Sequence, residues 1–391
     1  MKNASCEELL HLRERARRIA ASLPPLERMP DGSLTPSSRA IIQNRITSIL
    51  RQNRAVGASV VLCPPGGKAD VFHDGYARLH PRMSVTDQTC FRIASVSKLV
   101  MSFAALSLME DGVVDLDADV SLYLGYSVRH PQYPEIPVTL RMLLTHSAAI
   151  TDDGPYGTRG MQPGCTLHEL LSNPACWRCD APGQSFHYTN LGAGAAGVVL
   201  ERASGVPFDD ILKSRVFDPL SIRASYDPRR IVPTDDLADG YSVRGIFPPR
   251  LRYDAAALAA RPPEAFDPER DYLIAAGRMI TDSFGMERLV RLLGSQDGMG
   301  VLSPSSLNMM RTSQGNAGRG LNVAFLPDVF AGFSPVGHQG VAYGMCAELF
   351  ADPQTGAGVG VMTSGVRLVR QPPLMRAGFD LLALGFAALR T

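Results

Sequence analysis

Strand-like segments gather at the two ends of this chain with helical stretches between them, and that arrangement constrains its fold more than any other feature. Near the start, Val56–Cys63 is an apolar, β-branched run and Ala69–Ala77 alternates. Pro64, Pro65, Gly66 and Gly67 make a turn between them. Strand patterns return at Leu321–Leu326, Tyr343–Ala351 and Gly358–Thr363, and the turn sequence Asp352–Gly356 separates the last two. Helices are expected over 5–23, 37–52 and 96–111, then over 139–145, 166–172 and 191–204, and finally over 373–389. The pattern predicts an α+β fold: one antiparallel sheet built from both chain ends, flanked by helices, with a mostly helical insertion. The expected division is an N-terminal helical extension over 1–35, a sheet domain over 36–112 and 276–391, and a mostly helical domain over 113–275. Residues 225–270, rich in Pro, Arg and Asp, read as a long irregular excursion, and loops of that length are often functional walls.

Composition narrows the partners. Lys and Arg total 39 against 38 for Asp and Glu, and the charges are interspersed, so no basic face for nucleic acid is implied. No stretch approaches the roughly 20 apolar residues of a membrane span. The first residues lack the apolar run of a secretory signal. Instead Ser5 and Glu8 have capping-box spacing, and Leu9, Leu12, Ala16, Ile19 and Leu23 recur at helical intervals. Seven scattered cysteines suit a reducing compartment rather than a disulfide framework. The expectation is a cytoplasmic chain acting on small molecules, with no membrane partner. Oligomeric state is not legible.

Chemistry enters at Ser95-Val96-Ser97-Lys98, where the apolar helix 96–111 begins. Spacing i, i+3 puts Ser95 and Lys98 on one helix face. A serine hydroxyl needs a base to become a nucleophile, and a desolvated lysine can serve. A helix start also offers free N–H groups to an oxyanion. Alone the motif is weak, because Ser95 as a helix cap and Lys98 as a solvated charge explain it better. Its apolar surroundings, with Phe91, Ile93, Leu99, Val100 and Phe103, demand a partner for the lysine. Tyr188-Thr189-Asn190 and His338-Gln339-Gly340 follow later.

In that order the three motifs resemble the family of class C β-lactamases, DD-peptidases and their esterase and D-aminopeptidase relatives. Leu143–Ser147, Ser204–Phe208, Val216–Leu220, Ala275–Met279 and Val301–Pro304 fit as well, so the likeness runs from about residue 37 to 365. The resemblance implies a β-lactamase/DD-peptidase-like fold and an acyl-enzyme on Ser95. Lys98 and Tyr188 would share the proton work, and Asn190 would hold Lys98 and the substrate amide. His338 would supply a donor or positive charge, and Gln339 an amide donor. Gly340 would let the substrate approach the strand, and the N–H groups of Ser95 and Val341 would form the oxyanion hole. No metal or organic cofactor is implied.

The third motif departs from the Lys-Thr-Gly usual in class C β-lactamases, which favours an esterase, amidase or peptidase. A DD-peptidase or weak β-lactamase is the alternative, and a non-catalytic binding protein on the same fold is the alternative of another class. His146 reads as a loop brace. Cys165, His168, Cys176 and Cys179 have something of a zinc spacing, but they lie in segments that need not converge. Trp177 reads as packing. Substrate choice is expected to lie in the walls 113–180 and 225–270.

Overall fold

The computed structural model describes residues 5–153, 165–262 and 266–390. Two helices come first, α1 (Cys6–Ala21) and α2 (Pro36–Gln52). Ser5 and Glu8 form a reciprocal capping box on α1, and Thr35 caps α2 with Pro36 in its first turn. The strands β1 (Gly57–Cys63), β2 (Asp70–Leu79) and β3 (Arg82–Ser84) follow, then helix α3 (Val96–Glu110). Farther on lie α4 (Asn190–Ser204), the short strands β4 (Gly240–Val243) and β5 (Arg250–Tyr253), and α5 (Ser283–Gly294). Strands β6 (Ala324–Phe325), β7 (Val336–Ala342), β8 (Met345–Ala351) and β9 (Gly358–Arg367) lead to the closing helix α6 (Arg376–Leu389).

The main sheet runs β6-β7-β8-β9-β1-β2-β3, every neighbour antiparallel, so the two chain ends meet at the β9–β1 pair. One addition was not legible in the sequence. Within the supposedly irregular 225–270, β4 and β5 form an antiparallel pair, and β4 docks in parallel on the end of β9, Tyr241 opposite Gly365. The expected strand over 321–326 shrinks to the two residues of β6.

Helices cover both faces of this sheet, which is why β1 is buried along its whole length. Side chains alternate across a strand. Ala58, Val60 and Leu62 therefore join Leu12, Ile42, Phe379 and Phe386 of α1, α2 and α6. Val61 and Cys63 face the core shared with Met286 and Leu289 of α5 and with α3. Each fully buried Leu, Ile or Phe contributes about 1.5–3 kcal/mol. Close approach sets one residue identity: a Cβ at Gly360 would stand 2.4 Å from Met286 Cγ, so α5 can lie against β9 only over a glycine. Helix α1 is pinned to α6 by Arg15, which donates from Nε and Nη2 to both oxygens of Asp380 at 2.6 Å. Helix α3 is buried all round from Val96 to Leu106, as a helix that is apolar on every side must be. Among the described residues no helix is long and apolar enough to cross a membrane.

Candidate active site

Helix α3 begins just after a strained turn. Ala94 holds φ at 49°, a region that residues with a Cβ avoid, and Ser95 follows it at the helix start. Ser95 makes no capping bond to α3. Its Oγ instead accepts from the Tyr188 hydroxyl at 2.8 Å and from Lys98 Nζ at 3.3 Å. Lys98 is fully buried. Besides Ser95 Oγ, its Nζ donates to Asn190 Oδ1 at 2.9 Å and to the Ala276 carbonyl at 2.5 Å. Three acceptors for three N–H groups satisfy a buried ammonium. Ser95, Lys98, Tyr188 and Asn190 thus converge from α3 and from the start of α4.

The cap of α4 is Thr189, which leaves Asn190 in the first helical turn rather than at the cap. Asp152, which the sequence reading missed, explains its orientation. The Asp152 carboxylate accepts from Thr189 Oγ1 at 2.6 Å, from the backbone amides of Asn190 and Leu191 at 2.8–2.9 Å, and from Asn190 Nδ2 at 3.0 Å. A carboxylate suits a helix N-terminus, and here it also fixes the amide, so that Asn190 Oδ1 must face Lys98. A short acidic pair after an apolar loop carries no spacing signal that would have revealed it.

Strand β7 closes the other side. Strand β6 pairs only with Val336 and Gly337, so among the described residues the edge from His338 to Ala342 has no strand beside it on that side. Gly340 sits where a Cβ would come 2.1 Å from the Ile93 carbonyl and 2.9 Å from the Ser95 amide. The glycine therefore admits the protein's own 93–95 backbone, where room for a substrate was expected. This approach lays the edge that carries Val341 along the Ser95 turn.

Two expectations for this strand are corrected. Gln339 points to the opposite sheet face, because alternate residues of a strand must. It is buried there and donates from Nε2 to Glu348 Oε1 at 2.5 Å, so its amide does not reach the site. His338 lies on the site face, its ring centroid 6.1 Å from that of Tyr188, but it is not a positive charge. Burial, then the nearby Lys98 and Arg319 charges, hold its imidazole well below the usual range. Its Nδ1 lies 2.6 Å from the Gln339 carbonyl, which can only accept, so Nδ1 carries the proton and Nε2 is an acceptor.

His146 braces the tyrosine. Its ring centroid is 4.6 Å from that of Tyr188, its Nδ1 accepts from the Thr189 amide, and burial followed by Lys98 keeps it neutral. Arg319 is a second residue missed from sequence. It stacks over Phe186 at 4.5 Å, and burial lowers its pKa to about 10. Trp177 packs inward and donates to the Leu171 carbonyl. All seven cysteines are free, and among the described residues no set of three or more His, Cys, Asp or Glu has the geometry of a metal site. Residues 154–164 and 263–265, parts of the two expected walls, lie outside the described residues.

A family model described as Beta-lactamase matches residues 42–378. The chain belongs to the Beta-lactamase family. Esterase EstB of Burkholderia gladioli is 29% identical over 273 residues, 64% of this chain and 68% of that protein. The D-alanyl-D-alanine-carboxypeptidase/endopeptidase AmpH of Escherichia coli K12 is 27% identical over 202 residues, 48% of this chain but only 50% of AmpH. Among solved structures, a D-amino acid amidase from Ochrobactrum anthropi SV3 superposes with a TM-score of 0.69 at 22% identity, over 89% of this chain and 98% of the amidase. The octameric penicillin-binding protein homologue from Pyrococcus abyssi gives 0.68 at 22% identity, over 83% and 73%. These likenesses establish the α+β, antiparallel-sheet fold. The esterase, the carboxypeptidase/endopeptidase and the amidase are hydrolases by their descriptions.

Proposed function

We propose that the chain is a serine hydrolase that forms an acyl-enzyme on Ser95 and cleaves an ester or amide of a small molecule or D-amino-acid peptide. The observation that carries this reading is the bonding of Ser95 Oγ to Tyr188 and Lys98 in place of a helix-capping bond. In the reactive form Tyr188 has given its own proton to solvent, so the 2.8 Å bond runs from the Ser95 hydroxyl to the Tyr188 oxygen, and Ser95 Oγ attacks the substrate carbonyl carbon as that proton passes to Tyr188. Lys98, held by Asn190 and the Ala276 carbonyl, donates to Ser95 Oγ and stands 5.0 Å from the centre of the Tyr188 ring, where its charge stabilises the negative charge that moves between Ser95 and Tyr188. The N–H groups of Ser95 and Val341 receive the developing oxyanion. As the carbon–heteroatom bond breaks, Tyr188 returns the proton to the leaving alcohol or amine. Water then enters along the same path and gives its proton to Tyr188, which passes it to Ser95 Oγ as the acyl bond breaks and the acid leaves.

Penicillin-type substrates suit this site less well. Their carboxylate would meet a neutral His338 and no Gln339 side chain. The test is intact-mass spectrometry after incubation with a fluorophosphonate and, separately, with a penicillin. The expected result is a fluorophosphonate adduct that Ser95→Ala abolishes. No adduct, or one that survives Ser95→Ala, rejects the mechanism, and a rapid, long-lived penicillin adduct rejects the substrate preference. Hydrolysis of p-nitrophenyl esters against D- and L-aminoacyl p-nitroanilides then separates esterase from amidase.

A further inference from the structure

A cavity of about 740 Å³ lies beside the acylation site without including Ser95, Lys98 or Tyr188. It is walled by the 226–262 excursion, by Ile274 and Arg278, and by Arg92 and Tyr343. Six arginines and four aspartates line it. Two of the arginines are matched: Arg229 pairs with Asp227 at 2.6 Å and Arg230 with Asp209 at 3.1 Å. Asp254 is used in capping the helix Ala255–Ala259, and Asp271 accepts from the Asp267 amide. Arg92, Arg252, Arg261 and Arg278 have no carboxylate within ion-pair distance among the described residues.

Arg92 shows how such a charge is kept. Its guanidinium lies against the stacked rings of Tyr253 and Tyr343, 5.2 and 4.9 Å from their centroids, and Nε donates to the Gly277 carbonyl at 2.8 Å. Burial pulls its pKa down with no carboxylate to offset it. Tyr343 is held at a φ of 53°, a strained conformation that a tyrosine adopts only where its surroundings impose it. The cavity also shares a wall with the nucleophile. The consecutive carbonyls of Ala276 and Gly277 hold Lys98 on one side and Arg92 on the other, and Arg92 stands three residues before Ser95.

We propose that this cavity binds a carboxylate or phosphate group carried by the substrate, met by Arg92, Arg252 and Arg278 while the far end of the molecule acylates Ser95. The proposal rests on the acylation chemistry above and adds a substrate class, an ester or amide with a remote oxyanion. Arginine forks match both oxyanions bidentately.

The first test compares kcat/KM for mono-4-nitrophenyl suberate and for 4-nitrophenyl octanoate, which match in chain length and differ in the terminal carboxylate. The expected preference for the suberate is about tenfold or more. It falls to near unity in an Arg252→Gln/Arg278→Gln variant, chosen because both side chains are exposed and their loss does not disturb the core. A ratio near unity in the native chain, or one the variant leaves intact, overturns the proposal. The second test titrates the Ser95→Ala protein calorimetrically with suberate and with inorganic phosphate. Saturable binding that the arginine substitutions remove supports the site, and the tighter ligand names the oxyanion. Binding of neither rejects it. Fluorophosphonate labelling reads the acylation chemistry separately: labelling without suberate binding rejects the cavity alone, and suberate binding without labelling rejects the acylation reading alone.

Discussion

At the scale of single residues, four side chains legible in the sequence meet in the structure, and the reasons differ. Ser95 and Lys98 are local neighbours on one helix, so their proximity follows from spacing. Tyr188 and Asn190 reach them only through the packing of α4 on α3, which the resemblance implied and spacing alone does not. Asp152 was illegible because its role is to gather donors from a helix start 37–39 residues away. That role makes a prediction. Asp152→Ala leaves Thr189 Oγ1, two backbone amides and Asn190 Nδ2 without their acceptor, at a cost of about 1–3 kcal/mol in stability. It also frees the Asn190 amide to flip its Nδ2 toward Lys98, so fluorophosphonate labelling of Ser95 slows by about tenfold. Urea titration and a labelling time course check the two parts. Unchanged labelling in a destabilised variant rejects Asp152 as a positioning residue and leaves it a cap.

Single elements show a different limit. The sequence of β7 reads as consecutive site residues from His338 to Val341, but a strand presents only alternate side chains to one face, and Gln339 faces the other. The 225–270 stretch reads as irregular because β4 and β5 have four residues each and the strand on which β4 docks lies more than a hundred residues away. Short strands of that kind carry too few residues to display a period. Two predictions belong here. Gly340→Ala drives a Cβ to 2.1 Å from the Ile93 carbonyl, and both contacting groups are backbone. β7 must then move off the Ser95 turn, with a loss of about 1–3 kcal/mol and of Ser95 labelling together. Retained labelling at native stability contradicts the close approach. For α1, Arg15→Ala leaves the buried Asp380 carboxylate unpaired, at a cost on the order of 3 kcal/mol, read as a lower denaturation midpoint. An unchanged midpoint means that α1 is held by its apolar face alone.

For the whole molecule, the plan of one sheet made from both chain ends was legible, because strand signals lay nowhere else. The burial of both faces was not, since β8 reads as alternating and places a glutamate, Glu348, at its centre. With helices on both sides that glutamate has no route to water, and it is fully buried against Gln339 and Cys346, under α6 at Gly378. Burial raises its pKa to about 8, and burial followed by the Glu348 charge raises that of the Cys346 thiol well above its own range. The carboxyl is therefore protonated in the folded chain at neutral pH, whereas in the unfolded chain it ionises near its ordinary value of 4.5. Folding takes up a proton between these limits, so the contribution of Glu348 to stability is full below about pH 4.5 and falls as pH rises toward 8, by up to about 1.4 kcal/mol per pH unit. Glu348→Gln keeps the shape and removes the titration. Its unfolding midpoint should draw ahead of the native chain's as pH rises from 5 to 8 and keep a constant lead above that, and the difference between the two proteins cancels every other titrating group. A lead that does not grow over that range means that Glu348 is ionised in the fold and that a compensating charge faces it across the sheet.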